Sequence, residues 1–362
     1  MTKKLVCFVF MGNLYLCPYI NKYLENMDCD FDIIYWNRDG IDENIKARNV
    51  YSFDYKLELE DGKWRKIKGY WHFMKYAEKV LRKNRYDGVI LLQTIAGILL
   101  RRVLKKHYLG KFILDIRDYT LEKNCLFFLL EKDVINASAI TVISSEGYRK
   151  FLPPFERYVV VHNNRTINDS VVVNIRNRQK ERSKLIIAFI GRIRYQEQSK
   201  KLMNLFKNDT RFELWFIGAD AEKLTSFCER NNISNVKISG RFLPENIMEY
   251  YKDVDIINNL YGNNDPRLDF ALSNKLYFAA QLCMPILVCK GTYMEEISVG
   301  YGFGYTFDID DEKACDKLWE YYHNIDWDNF REKCDTFLKK VEKDNHIFNM
   351  NLKKFIEGEK ND

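Results

Sequence analysis

Lys275 lies in the stretch Ser273-Asn274-Lys275-Leu276-Tyr277, which opens a helix-period segment. Close behind come an apolar strand candidate, Pro285-Ile286-Leu287-Val288, and a Gly turn, Lys290-Gly291-Thr292-Tyr293. One inward ammonium beside a turn that exposes backbone N–H groups is equipment for holding a diphosphate. A second group of the same kind is Gly191-Arg192-Ile193-Arg194, directly after the apolar run 186–190. A strand that ends in Gly-Arg aims N–H groups and a guanidinium at one point, and a guanidinium binds phosphate through two parallel hydrogen bonds. Read alone, Arg192 and Arg194 suit solvent equally well; beside Lys275, phosphate binding becomes the better reading. Gly240-Arg241 repeats the pattern after the run 236–239.

Acids that could handle a proton are fewer. Asp118, in Ile113-Leu114-Asp115-Ile116-Arg117-Asp118-Tyr119, falls at the end of a strand candidate, where it can orient a hydroxyl or accept its proton. The competing reading is a structural pair between Arg117 and an acid. Gly12, in Met11-Gly12-Asn13, allows close backbone approach after the first strand, and an ordinary turn there is as plausible. Glu295 and Glu296 follow the Gly291-Thr292 turn, where their carboxylates can accept hydrogen bonds. Asp308-Ile309-Asp310-Asp311 resembles a metal-binding Asp-x-Asp, yet it precedes a helix-period segment, so N-capping explains it better. The five His residues are dispersed and the nine Cys show no Cys-x-x-Cys, so no metal site and no disulfide framework emerge.

The elements that must position these groups alternate along the chain. Strand candidates fall at 5–10, 31–36, 88–92, 112–115, 139–143 and 158–161, then at 185–190, 212–217, 236–239, 255–258, 285–288 and 304–307. Helix-period segments such as 69–82 and 98–108 lie between them. That alternation predicts α/β architecture on parallel sheets. The polar stretch from Asn163 to Ser183 has little helical periodicity and reads as a linker. The expected domains are therefore 1–163, a linker 164–184, a second domain 185–327, and a helical segment 328–362 that packs back on the first. Two doubly wound sheets place their sites at the carboxyl ends of the strands.

A chain of 362 residues, 46% hydrophobic and 30% charged, is globular and long enough for two cores. Reduced cysteines, a first strand close to Met1 and no apolar run near 18 residues lead to the expectation of a cytoplasmic protein. The net charge of +6 is modest, but residues 63–86 hold nine Lys and Arg against Glu78 alone among acids, interleaved with Trp64, Tyr70, Trp71, Phe73 and Tyr76. With Arg101, Arg102, Lys105, Lys106 and His107 they form a candidate contact with anionic membrane, at the inner face. A solvated helix face with core aromatics is the alternative. No nucleic-acid-binding module accompanies the charge, so nucleic acid is not expected as a partner.

Taken together, Gly191-Arg192, Asp253-Val254-Asp255, Asn274-Lys275-Leu276-Tyr277, Pro285–Val288 and the Gly291 turn resemble the donor-binding half of GT-B glycosyltransferases, in particular family-4-like enzymes of bacterial capsule and surface-polysaccharide synthesis. Asp115-Ile116-Arg117-Asp118 is a weaker echo in the first half. The resemblance implies two Rossmann-like domains facing a central cleft. It implies a nucleotide-sugar donor and a saccharide or lipid-linked acceptor, with transfer that retains configuration and uses no metal or other cofactor. It casts Asp118, Arg192 and Lys275 as catalytic. It casts Gly12, Gly191, Arg194, Arg241, Asn274, Tyr277, Gly291, Thr292, Glu295 and Glu296 as donor-binding. One departure stands out: where the family carries a Glu that accepts from the donor ribose, this chain has Phe278. A nucleotide-sugar epimerase on the same fold and a catalytically silent GT-B subunit remain the alternatives.

Overall fold

A computed structural model of the protein describes residues 3–58, 60–177 and 183–358. The chain divides into two compact units, Met1–His162 with Lys343–Asp362, and Asn163–Glu342. Residues 178–182 of the expected linker and 359–362 of the expected terminal segment lie outside the described residues.

The first unit holds a seven-stranded sheet of β1 (Leu5–Phe10), β2 (Asp30–Asn37), β3 (Asn49–Asp54), β4 (Gly88–Leu91), β5 (Phe112–Ile116), β6 (Ile140–Ile143) and β7 (Tyr158–Val160). Their order is β3-β2-β1-β4-β5-β6-β7, so the winding reverses between β1 and β4. The second holds a six-stranded sheet of β8 (Leu185–Ile190), β9 (Phe212–Ile217), β10 (Val236–Ser239), β11 (Ile256–Asn258), β12 (Ile286–Val288) and β13 (Gly304–Thr306). There the order β10-β9-β8-β11-β12-β13 reverses between β8 and β11. Every strand pair among the described residues is parallel.

The near-continuous apolar runs form these strands because helices cover both faces of each sheet. In β8, Leu185, Ile187 and Phe189 feed one core layer, and Ala188 and Ile190 feed the other. In β1, Val6, Phe8 and Phe10 share a core with Tyr23, Tyr35 and Phe348. The helix Trp327–Glu357 contributes to both units: Phe330, Phe337 and Val341 enter the second unit's core, Phe348 and Leu352 the first's.

The structure differs from the sequence reading in two places. β3 has no counterpart there, because its residues Asn49-Val50-Tyr51-Ser52-Phe53-Asp54 form a partly exposed edge strand without a continuous apolar run. Residues 169–176 of the expected linker form a helix, Asp169–Arg176. Asn168 caps it by accepting from Ser170 N–H at 2.9 Å, and Ile175 is buried in the second unit's core. The basic stretch forms one helix, Lys63–Asn84, that buries Phe73 and Ala77.

Candidate functional site

In the second unit the carboxyl ends of β8, β9 and β10 and the start of the helix Asn274–Leu282 enclose a cavity of about 450 Å³. It sits where the strand order reverses, the usual ligand crevice of a doubly wound sheet. Of the expected residues, Gly191, Arg192, Arg241, Asn274 and Lys275 line it, as does Phe278. Every charged lining residue is a cation: Arg165, Arg192, Arg241 and Lys275.

Lys275 is the unusual member. It enters in the first turn of its helix, with Ser273 as N-cap, and its side chain turns inward. Only 5% of the residue is exposed. Its ammonium donates to the Tyr261 hydroxyl at 2.7 Å and lies 3.5 Å from the centre of the Phe189 ring. No carboxylate among the described residues pairs with it. Burial without a counter-charge pushes its pKa from the ordinary 10.5 down to about 7. The Tyr261 hydroxyl, buried in the same place, is pushed up to about 12 and stays neutral.

Two glycines let the backbone fold around that ammonium. Gly191, at φ 138°, has an N–H that donates to Ile217 O at 2.8 Å, and a methyl group there would lie 3.9 Å from the Lys275 Nζ. Gly218, at φ 137°, ends β9 so close to Gly191 that a Cβ would stand 2.1 Å from the Gly191 carbonyl oxygen. Gly218→Ala is therefore expected to destabilise the protein by at least about 3 kcal/mol. Denaturant unfolding checks this, and an unchanged midpoint would refute it.

Arg192 is held from outside by Asp220, whose carboxylate accepts from its Nε at 2.8 Å. Hydrogen bonds from Lys223 and Arg192 hold the Asp220 carboxyl well below its ordinary range, at about 2. Arg241 is exposed on the rim. Phe278 packs its ring 5.3 Å from Tyr251, so the family's acidic position is an apolar wall here.

Other expected residues stand elsewhere. Tyr277 is a core residue, stacked on Phe337 at 6.1 Å, because its side chain points to the opposite side of its helix from the cavity. Arg194 is exposed beside Tyr261, outside the cavity lining. Gly291, Thr292, Glu295 and Glu296 do not line the cavity either. Thr292 caps the helix Tyr293–Gly300 by accepting from Glu295 N–H at 3.2 Å. The Glu295 carboxylate accepts from Gly291 N–H at 2.6 Å and from the Thr306 hydroxyl at 2.6 Å. The pair closes like a capping box, except that Glu295 reaches the N–H of Gly291, one residue before the cap; it occupies the Glu295 carboxylate and the Gly291 N–H expected to bind the donor. Among the described residues no cluster of three His, Cys, Asp or Glu has the geometry to hold a metal ion. Asp311 caps its own turn by accepting from Lys313 N–H at 2.9 Å.

The first unit carries its own cavity, of about 310 Å³, at the carboxyl ends of β1, β2, β4 and β5. Gly12 and Asp118 line it together. Arg117 is buried in a two-pronged pair with Asp115, at 2.6 and 2.7 Å, and Tyr23 donates to the same carboxylate at 2.7 Å. That pair fixes the turn and leaves Asp118 exposed at its end. In the turn carrying Gly12, the Asn13 side chain accepts from Arg38 and Asp39 N–H, and Glu43 accepts from Leu14 N–H.

On the helix Lys63–Asn84 the aromatics divide. Phe73 is core and Tyr70 packs on Trp36, whereas Trp64 is 84% exposed and Trp71 53%. No helix of the described residues is long and apolar enough to cross a membrane.

Sequence reasoning missed Arg165 and Gly218. The first lies in the polar stretch read as linker and has no local signal. The second had one, a Gly directly after a strand candidate, the same cue that marked Gly191.

No protein-family model and no curated protein sequence matches the chain. Solved structures do. A sucrose-phosphate synthase from Thermosynechococcus elongatus superposes with a TM-score of 0.70 at 10% identity, over 96% of this chain and 99% of that one. The lipopolysaccharide outer core galactosyltransferase WaaB, in its apo form, gives 0.63 at 15% identity, over 98% and 99%. HepE of Anabaena, in complex with UDP and glucose, gives 0.62 at 11% identity, over 96% and 99%. At such identities the likeness establishes the fold alone: this chain has the GT-B fold, with two Rossmann-like domains.

Proposed function

We propose that the protein is a glycosyltransferase that moves a sugar from a nucleotide-activated donor to a saccharide or lipid-linked acceptor. The observation that carries this reading is the second unit's cavity, lined by four cations and no acid, with Lys275 buried at its floor and lacking any carboxylate partner. A bound diphosphate supplies the missing counter-charge. The structural likeness to nucleotide-sugar enzymes, one of them holding UDP and glucose, supports the same reading.

On this reading the diphosphate lies over Gly191 with its oxygens toward Lys275, Arg192 and the N-terminus of the helix Asn274–Leu282. Phe242, Pro244 and Ile247, which also line the cavity, offer an apolar surface for the base. As the bond to the sugar breaks, negative charge grows on the leaving diphosphate, and fixed cations in a buried site stabilise it without reorganisation. Phe278 gives the ribose no acceptor and Glu295 is engaged in its turn, so the affinity rests on the diphosphate and base. Retention of configuration and transfer without a metal follow from the resemblance to family-4-like enzymes. The surface-polysaccharide pathway rests on that resemblance as well.

Asp118 is assigned to the acceptor hydroxyl. Asp118→Asn is expected to lower transfer about a hundredfold while leaving nucleoside diphosphate affinity unchanged; a variant with full transfer would remove Asp118 from the reaction. The epimerase alternative calls for a proton-handling set at the sugar, and no His lines either cavity. Consumption of donor only when acceptor is present separates the two activities. Exposed Trp64, Ile67 and Trp71 amid Lys63, Arg65, Lys66 and Lys68 suit contact with anionic lipid at the cytoplasmic membrane face.

A further inference from the structure

Arg38 is the first residue after β2 and lines the first unit's cavity together with Gly12, Tyr70 and Asp118. Its guanidinium lies 4.3 Å from the centre of the Trp36 ring and 5.8 Å from that of Tyr70. The platform beneath it is fixed: the Trp36 indole N–H donates to Tyr55 O at 2.8 Å, and its ring stacks on Phe73 at 5.6 Å. Stacking engages the face of a guanidinium and leaves its in-plane N–H groups to be satisfied by something else. Among the described residues no protein group does so. The Nε is buried and has no hydrogen-bond partner, and no carboxylate or carbonyl among the described residues accepts from the side chain. A buried charged donor left unmet is costly, and such positions call for an explanation.

No acid among the described residues forms an ion pair with it. Arg117 is neutralised by Asp115, and Asp118 is the only acid in the lining. Residues Thr94 and Ile95, at the amino end of the fourteen-residue helix Thr94–His107, also line the cavity, with no acid in that first turn.

We infer that this cavity binds an acceptor bearing an oxyanion, a phosphate or a carboxylate, that the stacked Arg38 guanidinium grips in its plane beside Asp118. The inference rests on the reading of this cavity as the acceptor side. It adds the chemical class: an anionic acceptor, with the charge anchored at Arg38 and a hydroxyl presented to Asp118.

The test is a calorimetric titration of the full chain without nucleotide, using glucose 6-phosphate, glucuronate and glucose. A parallel arm uses phosphatidylcholine vesicles with and without phosphatidic acid. The expected result is at least about tenfold tighter binding of an anionic probe than of its neutral counterpart, with the preference lost in Arg38→Gln, which keeps a planar group over Trp36. A response to the free sugars assigns a soluble acceptor, and a response to the vesicles alone assigns a lipid phosphate; either supports the inference. Equal binding of charged and neutral probes, no binding in either arm, or a preference that survives in Arg38→Gln overturns it. An unchanged thermal unfolding profile shows that the variant is folded, and nucleoside diphosphate binding is measured beside it. Because that binding belongs to the other unit, its absence in the wild type would count against the donor site and leave the Arg38 result standing.

Discussion

Lys275→Met is expected to make the folded protein more stable and to cost at least about a hundredfold in turnover. Both effects come from one fact, a buried ammonium with no counter-charge. A pKa held about 3.5 below the ordinary 10.5 corresponds to about 5 kcal/mol of unfavourable charge burial near neutral pH. Against this, the hydrogen bond to Tyr261 and the contact with the Phe189 ring return about 2 kcal/mol together. Burial wins, so an apolar side chain of similar length leaves the empty protein about 3 kcal/mol more stable. A protein that keeps the lysine keeps it for what it binds. Denaturant unfolding and transfer kinetics on the same variant check the two halves. Loss of stability would mean that Lys275 is structural, and near-normal turnover would remove it from the chemistry.

The second expectation concerns pH. The ammonium is the form that attracts a diphosphate, and in the empty site it is half ionised near pH 7. Above pH 7 the ligand must bring a proton with it. Its affinity should therefore fall about fiftyfold between pH 7 and 9, the slope approaching tenfold per pH unit at the upper end. The terminal phosphate is already ionised over that range, so the slope belongs to the protein. Calorimetry in buffers of different ionisation heat should detect proton uptake on binding, absent in Lys275→Met. The sign for folding is opposite. Between about pH 7 and 10.5 the unfolded chain holds the proton that the folded one has released, so this group makes stability rise with pH across that window. Below pH 7 its cost is present in full.

Much of the second unit's cavity was legible in the sequence because the ends of strands and the starts of helices leave a local mark. Gly191-Arg192 and Gly240-Arg241 sit where strand candidates stop, Ser273-Asn274-Lys275 opens a helix, and the fold brings the three together at one cavity. What the sequence could not show is direction. Tyr277 stands two residues from Lys275, which turns it to the opposite side of a helix and into the core against Phe337, sixty residues later. Glu295 had a readable alternative in the Thr292-x-x-Glu295 spacing of a capping box, and the structure shows that role, with the Gly291 N–H in place of the cap's own. Arg38 reads as a turn residue between Asn37 and Asp39-Gly40. Only the meeting of Trp36 with Tyr70, from a helix thirty residues on, makes it a stacked and unmet cation.

The most direct measurement is a thermal-shift series with UDP, GDP, dTDP, CMP and ADP on the wild type and on Lys275→Met. At about a hundred times its dissociation constant, the matching nucleotide should stabilise the wild type by roughly 2.7 kcal/mol. The variant should melt higher than the empty wild type and respond to none of them. A variant that keeps the nucleotide response, or a wild type that responds to no nucleotide, would contradict the assignment of Lys275 to a donor diphosphate.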